Sequence, residues 1–157
     1  MSTTLLILLC ALAQAGDRKG ETQLPPTMKI PPAPVLTPEE AIKTIKVAPG
    51  FRIELVASEP LVHEPIVMQF DPDGRLWVVE LRGYMPDVDV KGEDAPVGDV
   101  VVLEDTDGDG KFDKGTVFLE KLVLPRAIAL VGDGVLIAEP PGLWYCRSTT
   151  GNLKCDQ

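Results

Sequence analysis

The chain has a single histidine, His63, among 157 residues, and only three cysteines. One histidine leaves one side chain whose ordinary pKa lies near neutrality, so base catalysis at neutral pH has one obvious candidate. Basic surface is also missing. Acids outnumber Lys and Arg by 24 to 15, and between Asp71 and Asp113 the balance is 13 to 4, so this segment carries the whole formal charge of -9. Such a surface repels phosphates and anionic headgroups, which excludes nucleic acid and anionic lipid as partners. Long apolar runs are absent too. The stretch from Leu5 to Ala13 falls far short of the ~20 residues that a membrane span needs.

That stretch is followed by Ala13-Gln14-Ala15, a signal-peptidase pattern, although no Lys or Arg precedes it. Residues 1–15 are expected to be a cleaved signal peptide and the protein to be exported, periplasmic or extracellular, with no membrane span after cleavage. Cys10 does not fit a lipoprotein site, because the bulky Leu9 precedes it. Export would leave Cys146 and Cys155 in an oxidising compartment. Residues 16–36 are polar and then proline-rich (Pro25, Pro26, Pro31, Pro32, Pro34) and are expected to form an extended linker.

Thr37-Pro38-Glu39-Glu40 has the chemistry of a capping box with proline at the first helical position, and Pro49-Gly50 ends the helix by about Lys46. From Phe51 onward the apolar residues alternate with period two between Gly, Pro and Asp turns. Strands are expected over 51–56, 66–70, 76–80, 100–104, 116–120, 127–131, 135–138 and 143–147.

An internal repeat organises these strands. Pro65 stands nine residues before Gly74, and Pro125 nine before Gly134. Val67 matches Ala127, Phe70 matches Leu130 and Leu76 matches Leu136 at an offset of 60, while DTDGDGKFD (105–113) matches STTGNLKCD (148–156) at an offset of 43. The difference of 17 places an insertion at about 83–99. One unit is then four strands in about 43 residues, the size of a propeller blade. The expected fold is all-β: residues 37–157 form a partial β-propeller of about one and three-quarter four-stranded blades, preceded by a short helix. An ordinary meander or sandwich is the alternative. On this reading the chain stops short of a complete propeller, and the lone strand at 51–56 is the piece that would complete a last blade.

The sequence Asp105-Thr106-Asp107-Gly108-Asp109-Gly110-Lys111-Phe112-Asp113 is D-x-D-x-D-G-x-x-D, an EF-hand-like calcium loop. Carboxylates of Asp105, Asp107 and Asp109, the Lys111 carbonyl and Asp113, directly or through water, are the expected ligands. Thr116 stands where an EF-hand has its bidentate Glu. A solvated Asp-Gly hairpin is the alternative. The second copy replaces the aspartates with Ser148, Thr150 and Asn152 and places Cys146 and Cys155 at the positions of Leu103 and Phe112, an apolar pair expected to face across the first hairpin. A Cys146–Cys155 disulfide would staple the second hairpin; two buried thiols are the alternative. His63 and Arg82 are weak catalytic candidates. The first is otherwise a loop residue. The second lies with Glu80 and Tyr84 on one face if the strand continues, lining a channel or forming an ion pair.

The run PGFRIELVASEPLVHEPIVMQFDPDGRLWVVELRGY, with VVVLEDTDGDGKFDKGTVFLEKLVLPRAIAL and VLIAEPPGLWYC, resembles the membrane-bound-dehydrogenase-like propeller proteins of planctomycetes and verrucomicrobia, also described as haem-binding CxxCH proteins. More distantly, DGRLWVVELRG is similar to the first blade of pyrroloquinoline-quinone (PQQ) sugar dehydrogenases. The resemblance covers about residues 38–157. It implies the N-terminal part of an exported propeller whose full-length relatives oxidise sugars or alcohols, with PQQ and haem c as cofactors. The partners it implies are the remaining blades or C-terminal domains of a longer protein, and carbohydrate. The present sequence has no C-x-x-C-H, so it cannot attach haem covalently, and enzymatic activity of this chain alone is not expected. A non-catalytic, calcium-stabilised propeller binding glycan or protein is the alternative function.

Overall fold

The computed structural model describes residues 32–157, so the expected signal peptide and nearly all of the linker lie outside the described residues. Thr37 opens helix α1 (Pro38–Thr44): its hydroxyl accepts from Glu40 N at 3.3 Å and its own N–H donates to Glu40 Oε2 at 2.9 Å. Ile45 leaves helical geometry (φ -84, ψ 126), so α1 ends two residues before the expected Lys46. Among the described residues no helix is long and apolar enough to cross a membrane.

Seven antiparallel strands follow: β1 (Pro65–Phe70), β2 (Leu76–Glu80), β3 (Gly98–Glu104), β4 (Lys114–Leu122), β5 (Ala127–Val131), β6 (Gly134–Glu139) and β7 (Gly142–Cys146). They form one sheet ordered β1-β2-β3-β4 and a second ordered β5-β6-β7. The all-β expectation therefore holds at the level of two small antiparallel sheets and one short helix.

Three expectations are corrected. Residues 51–56 alternate like a strand but join neither sheet; Val56 O instead accepts from Phe112 N of the β3–β4 connection at 2.8 Å. The inserted loop is 81–97, since Gly98 and Asp99 already belong to β3 and Asp99 pairs with Glu80. Leu76 corresponds to Val135, not Leu136. Phe70 pairs with Leu76 across five intervening residues, whereas Leu130 pairs with Val135 across four. A one-residue change of register moves a side chain to the opposite face.

That register decides how the sheets meet. The first sheet is apolar on both faces, as the runs Leu76-Trp77-Val78-Val79 and Val100-Val101-Val102-Leu103 require. Its front face (Trp77, Val79, Val100, Val102, Phe118, Leu122) packs on Val135, Ile137 and Cys146 of the second sheet, with Trp77 and Phe118 edge to face at 4.8 Å. Its back face (Leu76, Val78, Val101, Leu103) packs on Ala57, Leu61, Val62 and Phe112. Val135 and Cys146 are the counterparts of Leu76 and Leu103. The front of one unit thus covers the back of the next, a head-to-tail contact. Where the connection into β5 crosses the start of β3, a Cβ on Gly98 would lie 2.6 Å from Cδ of the buried Pro125, so only glycine fits.

Each unit also carries the same carboxylate clamp. Glu80 Oε1 accepts from His63 N at 2.8 Å, and Glu139 Oε1 accepts from Val123 N. The residue after each donor, Glu64 or Leu124, has a positive φ (41° and 49°) and precedes the proline that starts the unit. An L-residue in that region is strained, and a charge-assisted hydrogen bond to its neighbour holds it there. The second oxygen of Glu139 accepts from Trp144 Nε1 at 2.6 Å. Glu139→Ala is therefore expected to lower the unfolding free energy by about 1.5–3 kcal/mol, the worth of a hydrogen bond to a charged group. Urea unfolding followed by tryptophan fluorescence measures it. A loss within about 0.5 kcal/mol, the ordinary effect of a surface change, would make the clamp incidental.

Candidate metal-binding loop

The β3–β4 connection, 105–113, is shaped by its own side chains. Asp105 Oδ1 accepts from Gly108 N at 2.7 Å and Oδ2 from Gly110 N at 2.9 Å. Asp107 Oδ1 accepts from Asp109 N at 3.2 Å, and Asp109 Oδ1 from Lys111 N at 2.8 Å. Gly110 sits at φ 88, the left-handed turn that the D-x-D-x-D-G spacing requires of it. One carboxylate oxygen from each of Asp105, Asp107 and Asp109 lies within 4.8 Å of the others. None of the three forms an ion pair among the described residues. At such separations each pair of like charges repels by roughly 1 kcal/mol even in water. A cation removes that repulsion, and this surface cluster can coordinate a metal ion.

Asp113 stands apart from the cluster. Its carboxylate accepts from Thr106 Oγ1 at 2.6 Å and from Thr106 N at 3.0 Å, and these bonds hold it below the ordinary aspartate value. Asp156 braces the second hairpin in the same way, accepting from Thr149 N at 2.9 Å. The brace persists in the copy that has lost the three ligand aspartates, so it serves hairpin shape separately from metal binding. Lys111 contributes its N–H to Asp109, and Thr116 lies within β4 opposite Val102.

The catalytic candidates gather at the other end of β2. Glu80 is fully buried, with Oε2 at 2.6 Å from Arg82 Nη2, and Arg82 Nη1 is 3.3 Å from Asp99 Oδ2. Because β2 ends at Glu80, Arg82 and the half-exposed Tyr84 lie in the loop and the expected alternation stops. His63 reaches this cluster through its backbone only. Its imidazole Nδ1 is 4.0 Å from the exposed Glu59 Oε1. Cys146 and Cys155 are present as thiols in hydrogen-bonding reach of each other, and burial first, then Cys155, pushes Cys146 up to about 12.

Sequence reasoning missed a cleft of about 340 Å³ between the hairpin turns of the two sheets, floored by Trp77 and Phe118 and rimmed by Asp71, Arg75, Asp133 and Arg147. Asp71 is its best-held group, accepting from Arg75 Nε at 2.6 Å and Trp77 Nε1 at 3.0 Å. Only the packing of two sheets makes the cleft, so no local signal announced it.

A family model described as a domain of unknown function, DUF7133, matches residues 37–157. The chain belongs to the DUF7133 family. No curated protein and no solved structure matches it. The DUF7133 region starts at the capping Thr37 and takes in both sheets, the aspartate loop, Cys146 and Cys155.

Burial alone would raise Asp71, but hydrogen bonds from Trp77 and Arg75, with the Arg75 charge, hold it below the ordinary 3.8. A depressed folded value means that the unfolded chain takes up the proton first. The stability this group supplies is complete above the ordinary aspartate value and is lost as pH falls through the folded one. Urea midpoints are expected to stay level down to about pH 5 and to fall below about pH 4. Asp71→Asn should be less stable at neutral pH and show a shallower acid decline. An unchanged decline in that variant would remove Asp71 from the account.

Proposed function

We propose that this DUF7133 chain supplies two adjoining units of an exported, calcium-stabilised β-propeller. The observation that carries the reading is the head-to-tail packing of two like sheets, with the aspartate loop closing the outer hairpin of the first. Packing of this kind leaves a further face open to the next unit, which is how blades follow one another around a propeller. The remaining units of such a propeller are the partners this reading implies.

Calcium suits the loop because it is a hard cation that accepts six to eight oxygens in flexible geometry. Asp105, Asp107 and Asp109 would supply carboxylates and Lys111 its carbonyl, with water and Asp113 beyond. Without a bidentate Glu at the twelfth position, binding is expected in the ~10⁻⁴ to 10⁻³ M range of extracellular modules. The ion neutralises the loop and fixes the β3–β4 hairpin; its role is structural.

The oxidoreductase reading rests on the sequence resemblance. Arg82 is tied to two carboxylates and His63 enters its cluster by its backbone, so sugar or alcohol oxidation, if the assembled protein performs it, would draw its base and its quinone site from other residues. The geometry favours a scaffolding role for this region, with glycan or protein binding as the activity of the assembled propeller.

Isothermal calorimetry with CaCl₂ tests the metal. Heat with millimolar or tighter affinity is expected, lost in Asp107→Ala and kept in Asn152→Ala. Absence of heat, or binding indifferent to Asp107, would dismiss the site. Export is tested separately: non-reduced peptide mapping of the secreted protein is expected to show Cys146 joined to Cys155. Both residues alkylated without reductant would count against an oxidising compartment.

A further inference from the structure

The two outer hairpins share a shape and differ in what supports it. In the first, Gly110 takes the left-handed turn at φ 88, a conformation that costs glycine little. Its counterpart in the second hairpin is Leu153, held at φ 57, where an L-residue with a bulky side chain is strained. The aspartates are gone as well. Ser148, Thr150 and Asn152 stand at their positions, so this turn offers no carboxylate cluster to an ion.

What the second hairpin has instead is a pair of thiols. Cys146 ends β7, and Cys155 lies on the returning arm within hydrogen-bonding reach of it. That arm is also where the hairpin touches the first sheet. Cys155 N donates to Phe118 O of β4 at 2.8 Å, and Leu153 and Cys155 pack on the core cluster that holds Trp77 and Phe118. Arg147, Ser148, Gly151 and Leu153, all within the same hairpin, form one wall of the cleft between the sheets, beside Cys146.

The two sulfurs differ in access. Cys146 is buried at 6% exposure, and burial, then Cys155, pushes its thiol up to about 12, so its thiolate is scarce. Cys155 is half-buried, with Sγ donating to Gln157 O at 3.6 Å. An oxidant arriving from solvent meets Cys155 first.

We infer that Cys155 and Cys146 form a thiol–disulfide switch that governs how firmly the second hairpin is held to the first sheet. The oxidant is a low-molecular-weight disulfide of the glutathione type. Cys155 Sγ, as thiolate, attacks one of its sulfurs, so that a mixed disulfide forms and one oxidant thiolate leaves. Cys146 then gives its proton to water and attacks Cys155 Sγ, releasing the second oxidant thiolate. The protein gains one S–S bond, two electrons pass to the oxidant, and the two released thiolates take up the two protons. Closure makes a ring of residues 146–155 that limits the states open to the unfolded hairpin, which offsets the strain at Leu153 and keeps Cys155 N on Phe118 O. This deepens the cysteine pairing of the proposed function and is independent of calcium and of any further unit.

Native-state hydrogen exchange on the full chain, reduced with dithiothreitol or oxidised with glutathione disulfide, reads the contact directly. Oxidation is expected to slow the Cys155 amide by up to about 100-fold, the loop-closure effect of a ring of roughly ten residues. Phe112 N, bonded to Val56 O in the first hairpin, is the internal control and should change far less. Slowing at Cys155 no greater than at Phe112 overturns the switch, as does a wild-type chain that glutathione disulfide does not close. Intact mass checks the order of attack, with the near-ultraviolet signal of Trp77 confirming the fold of each variant. Cys146→Ala is expected to stop at a glutathione adduct on Cys155, and Cys155→Ala to gain none while folded. A faster adduct in Cys155→Ala would overturn Cys155 as the entry thiol. Free thiols in the secreted protein would count against export and leave closure by glutathione disulfide standing.

Discussion

The first sheet carries aliphatic side chains on both of its faces, and a sheet of that kind has to be covered twice. On its front it meets the back of the second sheet; on its back it meets residues 57–62 and Phe112. Everything else in the molecule follows from that double burial. It sets the sheets head to tail, and it makes the segment before β1 a structural part of the first unit. It also brings the end of each β3-type hairpin down onto the preceding unit, where the N–H groups of Phe112 and Cys155 find their acceptors.

The aspartate loop sits at one end of this arrangement and the clamp at the other. The loop is exposed and like-charged, so its geometry costs electrostatic energy that a bound cation would offset. In the clamp Glu80 is fully buried and Glu139 half-buried, and their carboxylates are matched by backbone N–H groups and, for Glu80, by Arg82. The same functional group, a carboxylate, therefore does two jobs, and burial separates them. An acid in water near other acids is available to an ion, whereas an acid out of water must already have its partners.

Much of the site was legible in order along the chain, because its determinants are local. Spacing of Asp105, Asp107, Asp109 and Gly110 defines a turn whatever surrounds it, and the Thr37 box closes within one helical turn. The equivalence of Cys146 and Cys155 with Leu103 and Phe112 also carried through: each pair packs against the core of its own sheet's back face. Less legible were the features that depend on a partner. Asp113 has the spacing of a ligand, and that spacing does not announce that its carboxylate also accepts from Thr106 Oγ1. Arg82 has the spacing of a strand residue, yet β2 stops at Glu80. Leu136 has the spacing of Leu76, yet a hairpin shorter by one residue turns it to the other face.

By itself the sequence determined the helix cap, the period and position of the seven strands, the repeat, and the three aspartates of the loop, because each depends on residues a few positions apart. Tertiary structure alone decided which face of each strand is buried, that residues 51–56 join neither sheet, that Glu80 and Glu139 clamp the chain entering each unit, and that a cleft opens between the hairpin turns. Those outcomes depend on register and on contact between sheets. Register is set by one residue in a turn, and contact by which apolar faces remain uncovered, and neither quantity is written in any local stretch of the chain.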